Sequence, residues 1–317
     1  MGRRLENRMT RSAGGDPLGR MPARPTASPA APPQPFRWNL ATSAGAGPDR
    51  LGTLTEGAPP VRLRYLPSLT ECAAKVLARS DGAELCFVGR SLDSMYDLLT
   101  GAFEGSSWEG RLLRLPVSCT SDQGWTPAMR ARFREHLAAA GLDPYALARR
   151  KRPVALVDVV FRGNTFDTLH RALAGWIEES REPWPVIRRK LRYVGVTQRG
   201  RTSPGHWRWQ QDASRPWVRT LPAGHVVNVS LDPGTWSWFG DHQPKVHSSF
   251  PAVRWFDEDA AEPWYHPSLP AALAESLALV AAGRTRAVRD DLVRALGREP
   301  GFAGREVRAL AAALRRR

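Results

Sequence analysis

From residue 68 onward the chain alternates between two hydrophobic periods. "SLTECAAKVLARS" (68–80) sets Cys72, Val76 and Leu77 on one face of a 3.6-residue repeat, with Ser68 or Thr70 available as a cap. "ELCFVG" (84–89) is a short continuous apolar run, the pattern of a strand covered on both faces. The helical period returns in "RSLDSMYDLLTGAF" (90–103), where Met95, Leu98, Leu99, Ala102 and Phe103 share a face and Ser91 or Asp93 is placed to cap. "RLLRLPVS" (111–118) predicts the next strand. "TPAMRARFREHLAAAG" then predicts a helix over roughly 126–140, with Thr126 as cap, Pro127 in the first turn and Gly141 at the stop.

The strongest apolar run, "RPVALVDVVF" (152–161), is followed by a helix over 164–180 with Phe166, Leu169, Leu173, Trp176 and Ile177 on one face. "KLRYVGVTQ" (190–198) predicts a fourth strand. Strands alternating with helices imply parallel pairing through crossovers, hence an α/β, Rossmann-like layered core. Its ligand site is expected at the carboxyl ends of the strands.

The texture changes between 199 and 267, where seven tryptophans accompany many Gly and Pro and little periodicity. "HVVNVSLDPGTWSWF" reads there as two short strands around an Asp-Pro-Gly turn. "SLPAALAESLALVAAG" returns to helix between Ser268 and Gly283, and "GREVRALAAALRRR" sets Val307, Leu310, Ala311 and Leu314 on one face. Residues 1–60 hold 10 of the 27 prolines and little apolar content, so they read as a disordered leader. The expected organisation is that leader, an α/β core over 61–200, a Trp- and His-rich irregular or β segment over 201–267, and a helical segment over 268–317.

Charge adds two readings of one observation. The first 60 residues carry a net +4 and residues 284–317 a net +6 of the +15 total. Arg-rich ends point to contact with nucleic acid or another polyanion. Yet only Lys75, Lys151, Lys190 and Lys245 are lysines, and such a skew to Arg, beside abundant Ala, Gly and Pro, also follows from a GC-rich coding sequence. Cys72, Cys86 and Cys119 have no metal-type spacing, and Cys86 reads as a small buried hydrophobe. His225, His242, His247 and His266 lack the helical or Cys-paired spacing of a metal set. The tryptophans are equally the material of a core and of base stacking. The N-terminus has no apolar segment of secretory type and no stretch is long enough to span a bilayer. The chain is expected to be soluble and cytoplasmic.

The candidate chemistry lies in "VALVDVVFRGNTF" (154–166). A loop between a buried strand and a helix offers free N–H groups at the positive end of the helix dipole, which suits a phosphate. Gly163 admits close backbone approach, Asn164 and Thr165 open the helix with Thr165 as hydroxyl donor and cap, and Arg162 adds charge. Asp158 stands where it would accept hydrogen bonds from ligand hydroxyls. No Gly-Lys-Ser/Thr follows, so this is not a Walker loop.

The segment resembles the phosphoribosyl-pyrophosphate motif of type I phosphoribosyltransferases: four apolar residues, two acidic ones, a short loop with Gly-x-Thr, then a helix. Gly163 and Thr165 match the 5′-phosphate loop and Asp158 the second acid, while Val157 replaces the first and Arg162 stands where the family has Thr or Ser. The resemblance extends over roughly 68–200 and implies that Arg90, Ser91, Asp93 and Ser94 form a pyrophosphate loop. It implies a phosphorylated small-molecule ligand, phosphoribosyl or nucleotide, with Mg²⁺ assisting, and a phosphoribosyl transfer to a nitrogenous acceptor. The loss of one acid equally permits a protein that senses a nucleotide or phosphosugar without turnover.

Overall fold

The computed structural model describes residues 33–38, 40, 51–201 and 208–316. In chain order the elements are α1 (Leu66–Ser80), β1 (Glu84–Val88), α2 (Asp93–Phe103), β2 (Leu112–Leu115), α3 (Pro127–Ala139), α4 (Pro144–Arg149), β3 (Val154–Val159), α5 (Asn164–Glu179), α6 (Trp184–Ile187), β4 (Leu191–Gln198), β5 (Val226–Leu231), α7 (Pro233–Ser237), α8 (Leu269–Arg284), α9 (Arg286–Leu296) and α10 (Arg305–Arg315). The five strands form one sheet in the order β2-β1-β3-β4-β5, every pair parallel.

Alternation along the strands divides the core into two layers. Leu85, Phe87, Ala155, Val157, Val194 and Val196 face α1, α2, α9 and α10. Cys86, Val88, Val154, Leu156, Leu191 and Tyr193 face α3, α4, α5 and the tryptophans Trp209, Trp217 and Trp255. With both faces covered, β1 and β3 are apolar apart from Glu84 at the start of β1 and Asp158 near the end of β3, which is why neither shows polar alternation in the sequence.

Local signals place most boundaries. Thr126 Oγ1 accepts the Met129 N–H at 3.2 Å and starts α3 before Pro127, and Asp143 and Thr285 cap α4 and α9 in the same way. Ser68, Thr70, Ser91 and Asp93 do not cap: Tyr65 and Leu92 stand at the N-caps of α1 and α2, neither with a side-chain cap, and Thr70 instead donates to the Leu66 carbonyl. Ser268 stands at the N-cap of α8 without such a bond, and Gly283 lies within the helix rather than at its stop.

The expected pair of strands around Asp-Pro-Gly is one strand and one helix. β5 joins the main sheet beside β4, and Asp232 accepts the Thr235 N–H at 2.9 Å, so Pro233 opens α7. A capping Asp followed by Pro and Gly fits a turn and a helix start equally, and the local sequence does not separate them. Of the segment read as a leader, residues 1–32, 39 and 41–50 lie outside the described residues. Within 33–38, Pro35 is buried and Phe36 donates its N–H to the Ala260 carbonyl at 2.6 Å. No helix among the described residues is long and apolar enough to cross a membrane.

Helices α2 and α8 touch backbone to backbone at Gly101 and Gly283. A Cβ on Gly101 would lie 2.0 Å from the Val280 carbonyl oxygen, and one on Gly283 2.1 Å from that of Leu98. Because α2 begins at the loop after β1, this crossing fixes the helix behind the site. Gly283→Ala should force the helices apart and lower unfolding free energy by about 2 kcal/mol, read from chemical denaturation. An unchanged denaturation midpoint would show that the crossing is not tight.

Candidate functional site

The sheet order reverses at β1 and β3: the chain leaves β1 toward β2 on one side and returns to place β3 on the other. α2 and α5 lie on opposite faces, so the loops after β1 and β3 part and leave a crevice at the strands' carboxyl ends. A cavity of about 380 Å³ occupies that crevice, walled by Gly89–Ser91, Pro116–Ser118, Asp158–Phe166 and, from the later segment, Trp236, Gly240, Asp241, Lys245, Ser249 and Phe250.

β3 supplies the floor. Asp158 is 7 % exposed, and its Oδ1 accepts only the N–H of the next residue, Val159, at 2.8 Å. Burial pushes its carboxyl from an ordinary 3.8 up to about 8, the single hydrogen bond opposing this weakly. Val157 is fully buried on the opposite face, in the apolar layer under α1 and α2. A second acid there would have to be desolvated, which accounts physically for a valine at that position.

The loop after β3 is built on a tryptophan. Gly163 has φ +85° and is the N-cap of α5, with no side chain capping the helix, so Thr165 is a second-position residue and not the cap. A Cβ on Gly163 would meet Trp209 Cε3 at 2.4 Å, so the missing side chain makes room for the indole rather than for a ligand. Trp209 also rests on Gly195 of β4 and donates Nε1–H to Asn228 Oδ1 at 2.7 Å. Asn164 accepts from Arg215 Nη2 at 3.0 Å, leaving its backbone N–H at the helix end. Arg162 is exposed, its guanidinium 5.7 Å from the Phe161 ring centre.

The four residues expected after β1 divide. Arg90 and Ser91 line the cavity with Asp158, Arg162, Gly163, Asn164 and Thr165. Arg90 Nη1 donates to the His247 carbonyl at 2.8 Å. Asp93 and Ser94 do not line it and point inward. Asp93 lies 3.7 Å from Arg37 Nη1, and Ser94 Oγ accepts from Gln243 Nε2 at 2.5 Å. Burial opposes the charge on Asp93, but Arg114, Arg37, His247 and Lys245 around it hold its carboxyl below the usual range.

The opposite wall was not apparent from local sequence. Lys245 lines the cavity and its ammonium bonds the Phe239 carbonyl and Gln243 Oε1, both at 2.9 Å, and reaches the Ser91 carbonyl at 3.5 Å. Burial pushes it down to about 8, against the pull of Asp93. A signal existed, since it is one of four lysines among 46 Lys and Arg. Trp236 lines the same wall and donates Nε1–H to the Val196 carbonyl at 3.0 Å, and Asp241 stands at the rim. The described residues contain no group of three or more His, Cys, Asp or Glu placed to hold a metal. All three cysteines are free and buried.

The raised carboxyl has a consequence for stability. The folded protein retains the Asp158 proton between about pH 4 and about 8, where an unfolded carboxyl loses it, so this residue's contribution declines as pH rises through that window. Asp158→Asn should therefore gain stability relative to wild type between pH 5 and pH 8.5, and thermal unfolding of both proteins at the two pH values checks it; a difference constant with pH would contradict the buried, uncompensated carboxyl. Set against protein-family models, curated proteins and solved structures, the chain has no match.

Proposed function

We propose that the crevice binds a phosphorylated, hydroxyl-bearing small molecule of the phosphoribosyl or nucleotide class. The observation that carries this reading is Asp158: one carboxyl, free of any cation, on the floor between two loops that otherwise offer positive charge. A simple anion gains nothing from such a group. A ligand with a phosphate at one end and adjacent hydroxyls gains a phosphate seat and a hydrogen-bond acceptor together.

In this reading the phosphate sits at the uncapped start of α5, on the N–H groups of Asn164 and Thr165, with Arg162 closing over it. Asp158 accepts from the sugar hydroxyls. A second anionic group lies toward Arg90, Ser91 and Lys245, where the pyrophosphate of the type I phosphoribosyltransferase motif would fall. The donor set fits Mg²⁺ only as an ion carried by the ligand's phosphates with Asp158 or Asp241 beside it, since that cation commonly takes one or two carboxylates plus substrate phosphates. The same arrangement supports phosphoribosyl transfer, in which the C1′–O bond to pyrophosphate breaks and a C1′–N bond to the acceptor forms. Burial of Val157 in the apolar layer supports the alternative, a sensor that binds without turnover, because it leaves a single carboxylate for the ribose. A nucleic-acid role gains less support: Arg286 and Arg294 pair with Asp290 and Asp291, giving α9 a face of mixed charge.

Calorimetric titration of ribose 5-phosphate, phosphoribosyl pyrophosphate and inorganic pyrophosphate, with and without Mg²⁺, tests the proposal. Wild type should bind all three. Asp158→Ala should weaken both sugar phosphates by about tenfold or more while leaving pyrophosphate within about twofold. Absence of sugar-phosphate binding to wild type would sink the proposal. Pyrophosphate release in the presence of nucleobases would distinguish transfer from sensing.

A further inference from the structure

Asp93 opens α2 from inside the protein. Both its carboxylate oxygens are buried without a hydrogen-bond donor, and it forms an ion pair with Arg37 Nη1, 3.7 Å away. All three guanidinium nitrogens of Arg37 are likewise buried without an acceptor. Asp93 is the chief countercharge of Arg37, and Arg37 shares with Arg114 the compensation of Asp93, so removing one of the pair leaves the other buried with less compensation. Arg114, His247, Lys245, Arg90 and Asp97 complete the set of charged and titratable groups around them.

Arg37 comes from far outside the sheet, on an arm formed by residues 33–38. The arm is fastened at both sides of Arg37. Gln34 Nε2 contacts His136 Nδ1 of α3 at 3.0 Å, and the Phe36 N–H donates to the Ala260 carbonyl at 2.6 Å. Beyond it, Trp38 and Leu40 pack with Leu51 and Leu54 against Val246, Leu269, Ala272 and Leu273. The arm therefore presses on two neighbours of the crevice at once: the start of α2, which follows Arg90 and Ser91, and Val246, which follows Lys245.

We infer that Arg37 is a positioning residue for the half of the crevice formed by Arg90, Ser91 and Lys245, acting through Asp93. The inference rests on reading the crevice as the ligand site, but its structural part is independent of any ligand. Asp158 and the start of α5 are held by β3 and Trp209, and among the described residues no hydrogen bond or ion pair joins the arm to either, so loss of Arg37 should act on one side of the crevice only.

Hydrogen exchange and calorimetry on full-length Arg37→Ala, Arg37→Lys, Asp93→Asn and the Arg37→Ala/Asp93→Asn double variant test this. In Arg37→Ala, amides of residues 89–97 and 243–248 should exchange about tenfold faster while those of 160–167 hold their protection. Inorganic pyrophosphate should bind about tenfold more weakly and ribose 5-phosphate within about twofold of wild type. Arg37→Lys should restore most of both signals, and in the Asp93→Asn background Arg37→Ala should add little. Uniformly faster exchange, equal loss of both affinities, no change, or additive effects in the double variant would each overturn the inference. If wild type binds neither probe, the ligand reading falls and the exchange pattern still decides whether Arg37 holds the loop after β1.

Discussion

Parallel pairing of β1 with both β2 and β3 is the constraint on which the rest depends. A strand with parallel neighbours on both sides cannot be reached by hairpins, so every connection must cross a face of the sheet. The crossing through α2 lies on one face and that through α5 on the other. The two loops must then separate at the strand ends, and the uncapped start of α5 looks into the gap between them. The crevice is a result of strand order before any particular side chain enters it.

What makes the gap a defined site is the filling beneath it. Trp209 occupies the space left by two residues without side chains, Gly163 and Gly195, and is tethered to Asn228 of β5. One indole thereby links the loop after β3 to the strands beyond it. Across the crevice Gln243 performs a comparable task with polar atoms, donating to Ser94 and Glu275 while accepting from Lys245. One wall rests on an apolar wedge and the other on a buried polar network, which is satisfied only when loop, helix and ammonium are all in place.

The sequence makes legible whatever is set locally. Apolar runs, period changes and the Thr126 cap locate β1, β3, β4, α3 and α5, and the Gly-Asn-Thr loop stands out because its strand and helix are contiguous with it. Asp93 and Ser94 mislead because they occupy the first turn of a helix that follows a loop, where ligand contacts are common. α2 is nevertheless covered on nearly every side, by α8, the arm and the Gln243 network, and its first turn faces inward. Lys245, Trp209 and Arg37 reach their places through contacts between residues far apart in the chain, and no local pattern encodes those. β5 is legible as a short strand, but its parallel place beside β4 and the helix that Asp232 caps after it are not, because pairing with β4 is a contact between distant residues and Asp-Pro-Gly fits a turn as well as a helix start.

If the crevice holds a phosphorylated sugar as proposed, the pair Val157 and Asp158 bears most directly on whether it does more than bind. Consecutive strand residues face opposite sides, so the two acids of the motif could never serve the ribose in the same way: one rises from the floor, and the other must reach round the strand end. Here the second route is closed by packing, since Val157 shares its layer with Ala155, Val194 and Val196. The remaining carboxyl is buried deeply enough to hold its proton near neutral pH. A neutral acid accepts from a hydroxyl and donates to another, which suffices to recognise a sugar. Stabilising a developing positive charge at C1′ requires the ionised form, and that form is what burial disfavours. Turnover would thus depend on a ligand whose own hydroxyls or accompanying cation draw the proton off Asp158, whereas recognition needs no such help.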